Sequence, residues 1–294
     1  MNFSNILNEI EKNDPEVYEK VSGRRHILKS FGAKVALASL PFAVGSMFKK
    51  AYGKTTDVVI DALNFALELE YFEFNFYHVA NNTGNLIAVS DAPGFLTIEA
   101  HEKAHINFLI NTITTLGGTP FQPNHYSDAV SVPPYIPNAY DFTAQSNTTY
   151  APIFGGVFTD YPTFLIAASV FEDTGIRAYM GQMQTFLGNT ILTQAQQIAA
   201  TEGRHASFVR LIRRNMGAVE IPAPWITNNI PPLNSLQSFY LGEDNTTQLG
   251  ISITSLPDTY SGTGVVPEDS ATAAFDEPSD MTTVMSLIAP FILP

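Results

Sequence analysis

Residues 99–109 read EAHEKAHINFL and place Glu102 three positions before His105. Residues 201–208 read TEGRHASF and repeat the same Glu-x-x-His spacing. Two side chains three positions apart lie on one face of an α-helix, one turn from each other. One such pair arises easily by chance, but two pairs in a chain with only six histidines are a stronger signal. They predict two helices that each offer a carboxylate and an imidazole to one site.

Both motifs lie within long segments in which apolar residues recur with a helical period. We predict that the second helix of the chain begins at Asp91 and ends at Gly117, and that the fourth runs from Thr190 to Met216. In each helix the inward positions follow in steps of four and three, as on the buried face of a bundle helix. These positions are Ile98, Glu102, His105, Leu109, Thr112 and Leu116 in the second helix, and Ile191, Ala195, Ile198, Glu202, His205, Val209, Ile212 and Met216 in the fourth.

Each of these helices follows another predicted helix along the chain. The first spans Asp57–Ala80, and the third begins after Asp160 and Pro162. Each carries a glutamate on its inward face, Glu70 or Glu172, with a tyrosine seven residues later. A Glu-x6-Tyr helix followed by a Glu-x-x-His helix therefore occurs twice, which indicates a duplicated helical hairpin. The inward positions are Leu63, Leu67, Glu70, Phe74 and Tyr77 in the first helix, and Leu165, Ser169, Glu172, Ile176, Tyr179, Met183 and Phe186 in the third.

The connections between the helices define the topology. The links within each hairpin are short, whereas residues 118–160 form a long connection rich in proline and tyrosine. We therefore predict an all-α four-helix bundle over residues 55–217, built from two helical hairpins with one long crossover. Residues 218–294 follow as an irregular, proline-rich C-terminal extension that wraps the bundle. The elements expected in this extension are short strands near 236–242 and 249–254 and a last helix from Asp280 to Ala289 that docks on the bundle.

The ionisable residues on the inward faces would meet at one level of the bundle. Burying a lone carboxylate costs several kcal/mol, so these side chains need compensation. Four carboxylates and two neutral imidazoles carry four negative charges, which two divalent cations balance. The chain has no cysteine, and carboxylate and imidazole ligands suit iron or manganese. The pattern predicts two Fe or two Mn ions, and the metal-ligating candidates are Glu70, Glu102, His105, Glu172, Glu202 and His205.

Four residues beside these ligands have two interpretations each. Glu73 lies one helical turn beyond the first glutamate, so it either supplements or replaces that ligand or plays no part in the site. Tyr77 and Tyr179 are either core tyrosines with satisfied hydroxyl groups or catalytic residues with a redox or gating role. Asp173 either accepts a hydrogen bond from a ligand histidine or lies in solvent.

The remaining residues near the motifs receive no metal role. We expect Glu68 to lie in solvent. Glu99 and His101 are either exposed or partners of the ligands, and no ionisable constellation surrounds His78. The aromatic residues of the first helix are predicted to pack in the core, with some area left for a homodimer interface. They are Tyr71, Phe72, Phe74, Phe76 and Tyr77.

Four stretches resemble one known family: LEYFEFNFY (69–77), EAHEKAHINFL (99–109), FEDTGIRAYMGQ (171–182) and TEGRHASF (201–208). They are similar to the exported ferritin-like domain family that includes desiccation-related proteins, a branch of the dimetal-carboxylate four-helix bundles. The resemblance covers about residues 57–217. It implies that the six candidates are metal ligands, that Glu102 and Glu202 bridge the two ions, and that the ions react with oxygen or peroxide.

The charge of the chain is distributed unevenly. Residues 1–50 hold eight basic and five acidic residues, whereas residues 51–294 hold seven basic and 23 acidic residues. Such an acidic body repels nucleic acids and anionic membrane surfaces, so we expect neither as a partner. With 45% hydrophobic residues, the chain can bury a sizeable core.

Residues 1–54 are predicted to form a leader. The pair Arg24-Arg25 precedes the apolar run 35–48, VALASLPFAVGSMF, which is too short to span a membrane. This order resembles a twin-arginine export signal, and the alternative is a basic amphipathic N-terminal helix. An export signal implies a periplasmic or extracellular protein whose mature form has no stable membrane insertion. No clean Ala-x-Ala site marks the cleavage point.

These observations lead to one main functional hypothesis and two alternatives. The main hypothesis is an exported di-iron or di-manganese oxidoreductase of the peroxidase or catalase type, which acts on oxygen or peroxide in stress protection. The chain has no cysteine for a Cys₄ iron centre, so a peroxidase would need an external electron donor. The alternatives are metal binding or sequestration without turnover, and a stress-protective structural protein in which the metal ions hold the bundle together.

Overall fold

The computed structural model describes residues 56–126, 135–145, 153–218, 223–258 and 262–294. The predicted leader and its twin-arginine signal lie outside the described residues, so the signal stays a prediction. Within the described residues, no helix combines the length and the apolar character needed to cross a lipid bilayer.

The helices pair as two hairpins. Helix α1 (Thr56–Asn82) packs along α2 (Ala92–Thr115), and α3 (Tyr161–Gln182) packs along α4 (Leu192–Asn215). The two hairpins meet where α1 lies against α3. The prediction of an all-α four-helix bundle with one long crossover is confirmed, and the helices begin and end within a turn of their predicted bounds.

Local interactions explain where two of these helices begin and end. The side chain of Asp160 accepts a hydrogen bond from the backbone N–H of Thr163 at 2.9 Å, which satisfies a free donor in the first turn of α3. After α4, Gly217 has a φ of +90°, and the N–H of Ala218 donates to the carbonyl of Arg213 at 3.1 Å. Glycine adopts this left-handed conformation without steric cost, so Gly217 ends the helix.

Helices α1 and α3 are buried on nearly all sides, which the single apolar face of each helix did not indicate. The crossover covers α1: the ring of Phe142 lies 5.0 Å from that of Phe72, and the N–H of Ile136 donates to Asn75 Oδ1 at 2.8 Å. Phe291, near the C-terminus, lies 5.9 Å from the Phe72 ring. The five aromatic residues named above are all buried within the chain, so the expectation that they leave area for a dimer interface is wrong. The homodimer itself stays a prediction.

The C-terminal extension contains little strand structure. The strand predicted near 236–242 is wrong, because the chain forms a 3₁₀ helix there, Asn234–Tyr240. The buried residues of this segment recur every three to four positions, as in a helix. The strand predicted near 249–254 is confirmed only as β2 (Ile251–Ser252), which pairs antiparallel with β1 (Thr247–Gln248). The other elements are a 3₁₀ helix Ile253–Ser255, strands β3 (Pro257–Asp258) and β4 (Gly264–Val265), helices α5 (Glu268–Thr272) and α6 (Met281–Ile288), and a 3₁₀ helix Ala289–Phe291.

The last helix, α6, docks on the bundle as predicted. Val284 and Ile288 are buried in the main hydrophobic core, and α6 packs against α3. Beyond α6, the chain pairs with the crossover, because the N–H of Leu293 donates to the carbonyl of Ala139 at 2.9 Å. The extension therefore wraps the bundle and ends against the segment that joins its two halves.

A buried arginine of the bundle holds the extension in place. Arg177 on α3 donates to the backbone carbonyls of Phe239 at 2.5 Å, Leu241 at 2.7 Å and Glu277 at 2.8 Å. It also pairs with Glu243 at 2.7 Å. Burial raises the pKa of Glu243 to about 7, although the charge of Arg177 opposes this shift. These contacts attach the extension to a helix that carries a predicted ligand.

Candidate metal centre

The six predicted ligands converge inside the bundle although they come from four helices. They form two overlapping sets, within each of which the potential ligand atoms lie within 4.8 Å of one another. Glu102 and Glu202 belong to both sets, as expected for carboxylates that bridge two neighbouring ions. We call the two sets the His105 position and the His205 position. The His105 position consists of Glu70, Glu102, His105 and Glu202, and the His205 position consists of Glu102, Glu172, Glu202 and His205.

Both histidines turn Nδ1 towards the carboxylates. His105 Nδ1 lies 3.1 Å from Glu70 Oε2 and 3.1 Å from Glu102 Oε2. His205 Nδ1 lies 3.0 Å from Glu102 Oε1 and 3.4 Å from Glu172 Oε2. The second shared glutamate lies 3.3 Å from the Nδ1 atom of His105 and 3.4 Å from that of His205. Each imidazole therefore contacts carboxylates from its own helix and from two others.

Several potential metal-ligating atoms in this cluster are buried without a hydrogen-bond partner. They are Glu102 Oε1, Glu172 Oε2, both carboxylate oxygens of Glu202, and His205 Nδ1. A buried polar atom without a partner costs about 1–3 kcal/mol, so proteins rarely leave several of them together. Carboxylate oxygens and imidazole nitrogens are ligands for divalent transition metals, and the cluster therefore fits metal ions.

The charges of the cluster shift its pKa values far from their usual ranges. Burial disfavours the charged form of His105, but the carboxylates of Glu70 and Glu102 outweigh burial and raise its pKa to about 11. The pKa of His205 is likewise raised despite its burial. For Glu102, the two histidines outweigh burial and lower the pKa to about 2. Burial raises the pKa of Glu70 to about 7 and that of Glu202 well above its usual range. Without metal, the cluster therefore holds several protons at neutral pH.

Two tyrosines link the hairpins at the site. Tyr77 on α1 donates to Glu172 Oε1 on α3 at 2.5 Å, and Tyr179 on α3 donates to Glu70 Oε1 on α1. Each tyrosine of the Glu-x6-Tyr repeat therefore binds the glutamate of the other hairpin. Burial, together with the charge of the bonded glutamate, raises the pKa of both hydroxyl groups well above the usual range. The tyrosines are thus buried, with satisfied hydroxyl groups that orient the two outer carboxylates.

Glu73 lies beside the cluster but belongs to neither metal position. Its side chain is buried, and burial followed by the charges of the four predicted ligand glutamates raises its pKa well above the usual range. It faces Gly175 on α3, where an added Cβ atom would lie 2.9 Å from Glu73 Oε1. Gly175 therefore provides the space for this carboxylate, and a role of Glu73 as an additional ligand stays a prediction.

Residues without an assigned metal role have specific partners around the site. His101 Nδ1 lies 2.9 Å from His205 Nε2, and the two rings stack with their centroids 5.2 Å apart. The structure thus favours the alternative in which His101 supports a ligand. Glu99 lies 2.7 Å from His78 Nδ1 and accepts a hydrogen bond from Asn81 at 2.7 Å. The prediction that His78 lacks an ionisable partner is therefore wrong.

Two acidic residues differ from their predicted environments. Asp173 is buried and pairs with Arg210 on α4. It also accepts a hydrogen bond from the Tyr240 hydroxyl at 2.7 Å. Both expectations for Asp173, a bond to a ligand histidine or a position in solvent, are therefore wrong. Tyr240 lies in the extension, and no helical pattern could indicate this contact. Glu68 is half-buried instead of solvated, and burial raises its pKa to about 7.

The fold and the site together define the class of protein. It is a four-helix bundle in which two helices each supply a glutamate and two each supply a Glu-x-x-His pair to one buried cluster. The sequence matches the Ferritin-like domain family over residues 58–215, more than half of the chain, and the chain therefore belongs to this family. No curated protein matches the sequence.

Proposed function

We propose that the chain binds two Fe or two Mn ions in this cluster and performs redox chemistry on oxygen or peroxide. The observation that carries the proposal is the group of buried carboxylate oxygens and an imidazole nitrogen that have no hydrogen-bond partner. When bound, such a metal pair supplies a place for the oxidant and exchanges electrons with it. In the metal-free fold these atoms have no hydrogen-bond partner, and the cluster retains protons that metal ions would displace, which is the physical reason to expect ions there.

The protein side chains would position the ions and hold protons. Glu102 and Glu202 belong to both positions, so their carboxylates would bridge the ions. Tyr77 and Tyr179 orient the outer glutamates through their hydroxyl groups, and the raised pKa of each hydroxyl keeps its proton in place at neutral pH. The four ligand glutamates have 0% exposure, so the site excludes bulk water and strengthens electrostatic interactions within it.

Hydrogen peroxide is the substrate that we favour, with dioxygen as the alternative. Dismutation of peroxide needs no external donor, because one molecule is reduced to water while another is oxidised to dioxygen. A chain without cysteine has no ligands for a Cys₄ iron centre to deliver electrons. A catalase-type reaction therefore requires fewer additional partners than a peroxidase reaction.

The test is reconstitution followed by addition of peroxide. The metal-free chain is loaded with Fe(II) without oxygen, or with Mn(II), the metal content is measured, and dioxygen release is followed with an oxygen electrode. We expect about two ions per chain and dioxygen release. The double variant Glu102→Ala/His205→Ala should lose both, whereas Glu99→Gln, which changes a non-ligand on the same helix, should retain both.

The same experiment distinguishes a second candidate function, a structural metal site. The supporting observation is that the predicted ligands join all four helices at one buried point. Full metal occupancy without any reaction with peroxide or oxygen would favour this structural role or metal storage. Less than about 0.2 ions per chain after reconstitution would overturn both metal hypotheses.

We further propose that the protein is exported by the twin-arginine route to the periplasm or the exterior, where it protects against stress. Proteins on this route fold before export, so the chain could take up its metal ions in the cytoplasm. Changing Arg24→Lys and Arg25→Lys together should retain the protein in the cytoplasm, as measured by cell fractionation and immunoblotting. The matched change Lys20→Arg should leave export intact. Equal export of all three chains would contradict the proposal.

A further inference from the structure

The two halves of the site differ in how they support their histidines. The residue before the glutamate of each Glu-x-x-His pair is His101 on α2 and Thr201 on α4. His101 stacks on His205 and places Nδ1 2.9 Å from its outer nitrogen, Nε2. Ligand histidines in metalloproteins almost always make a hydrogen bond through the ring nitrogen that does not bind metal. The internal repeat is therefore broken at this pair of residues.

Thr201 does not play the equivalent role for His105. Its hydroxyl donates to the carbonyl of Gln197 at 3.0 Å and accepts a hydrogen bond from Arg204 at 2.9 Å. The His105 side chain is 12% exposed, compared with 4% for His205. The His105 position thus has an opening where the His205 position is covered by a second imidazole.

The opening leads into a cleft of about 270 Å³, which we call the α2–α4 cleft. It lies between two helices that pack less closely with each other than either does with its hairpin partner. Its described lining contains no aspartate, glutamate, lysine or arginine, and His105 is neutral when it binds metal. In the metal-loaded protein the lining therefore offers no opposite charge to an ionic ligand. Besides His105, the lining residues are Ala104 and Phe108 from α2 and Gln194, Gln197, Ile198 and Thr201 from α4.

We propose that the α2–α4 cleft is the access route by which small uncharged molecules, such as hydrogen peroxide or dioxygen, reach the metal centre, and that they reach the His105 position first. This inference rests on the proposed function. A neutral molecule crosses the cleft without losing strong hydration, whereas a bulky anion would have to be desolvated against apolar and amide groups. His101 closes the alternative approach to the outer face of His205.

Nitric oxide tests this route, because it is a small uncharged probe that binds Fe(II) with a change in absorbance. The full chain is loaded with Fe(II) under anaerobic conditions, and binding is followed by stopped-flow spectroscopy. Ala104→Trp and Gln197→Trp each place a large ring in the cleft. Gln196→Trp places the same ring on an exposed position of α4 outside the cleft and serves as the matched control.

We expect binding to slow about tenfold or more in each cleft variant that retains its iron content and melting temperature, and to change by less than about twofold in the control. If one cleft variant fails to fold, the other decides the outcome. Normal iron content with an unchanged rate in the cleft variants would overturn the access route alone. Failure of the unmodified chain to bind both iron and manganese would overturn the proposed function and this inference with it.

Discussion

Loading the metal-free centre with two divalent ions is expected to release at least three protons per chain at pH 7. The two ligand histidines supply two of them, because the pKa of His105 is raised to about 11 and that of His205 is also raised. Glu202 supplies a third, since burial raises its pKa well above the usual range. Glu70, with a pKa of about 7, is half protonated at this pH and adds a fraction of a proton. Both imidazoles and all these carboxylates must be deprotonated to bind metal.

Isothermal titration with Mn(II) in two buffers of different ionisation enthalpy measures the number of protons released. The apparent binding constant for the metal pair should also rise about a thousandfold per pH unit near neutrality, because each displaced proton contributes a factor of ten. At pH 8.5 the contribution of Glu70 should vanish, which gives an internal control. Release of less than about one proton at full loading would show that both imidazoles are neutral without metal, and would refute this reasoning.

Three further predictions concern residues that are not among the proposed ligands. Gly175→Ala should lower the free energy of unfolding by about 1–3 kcal/mol in urea titrations, because the new Cβ would lie 2.9 Å from a Glu73 oxygen. In the control Gly203→Ala the new Cβ would have no atom within 4 Å, so the free energy of unfolding should rise by about 0.5–1 kcal/mol. The same sign for both variants would contradict this. Glu68→Gln should raise the melting temperature at pH 8 and leave it unchanged at pH 4. Burial raises the folded pKa from 4.5 to about 7, so the stability that the protonated carboxyl contributes is complete below pH 4.5 and is lost as the pH rises through 7; an equal change at both pH values would exclude that cause. His101→Ala should weaken metal affinity about 10–100-fold at the position that it supports, and calorimetry that shows equal weakening at both positions would rule out this role.

The buried cluster of glutamates and histidines could be predicted from the sequence because its geometry is local. A spacing of three residues places Glu102 and His105 on one helical face in any α-helix, and the surrounding apolar period shows that this face is buried. The repeat of the pattern in the second half then supplies the other ligands without any knowledge of packing. The Glu-x6-Tyr spacing singled out the two tyrosines, but it did not predict that their hydroxyl groups bind Glu172 and Glu70 across the hairpins.

The contacts that could not be predicted involve the C-terminal extension, whose apolar residues do not recur with a sustained helical period. Asp173 is paired by Tyr240, which lies 67 positions away in an irregular segment, and also by Arg210 on another helix. The 3₁₀ helix around Tyr240 has apolar residues at positions that also suit a short strand, so only its packing decides its conformation. The nearly complete burial of α3 has the same origin, because Arg177 binds carbonyl groups of the extension.

The asymmetry of the site was visible in the sequence but had no interpretation there. His101 and Thr201 occupy equivalent places in the two halves, yet a single histidine beside a ligand has several ordinary explanations. The 2.9 Å approach to His205 identifies the supporting contact. On the other side, Thr201 bonds to Gln197 and Arg204, and His105 lines the cleft. The two halves of the cluster therefore differ in how their histidines are covered.

X-ray absorption spectroscopy at the iron or manganese edge of the reconstituted protein tests most directly whether these residues form one centre for two ions. We predict oxygen and nitrogen neighbours around each metal and a second metal at about 3.5–4 Å, the separation typical of two-metal sites. The variant Glu102→Ala/Glu202→Ala, which removes both shared carboxylates, should lose the metal–metal signal. A fully loaded protein whose spectrum contains no metal neighbour at that distance would contradict the assignment of a shared centre.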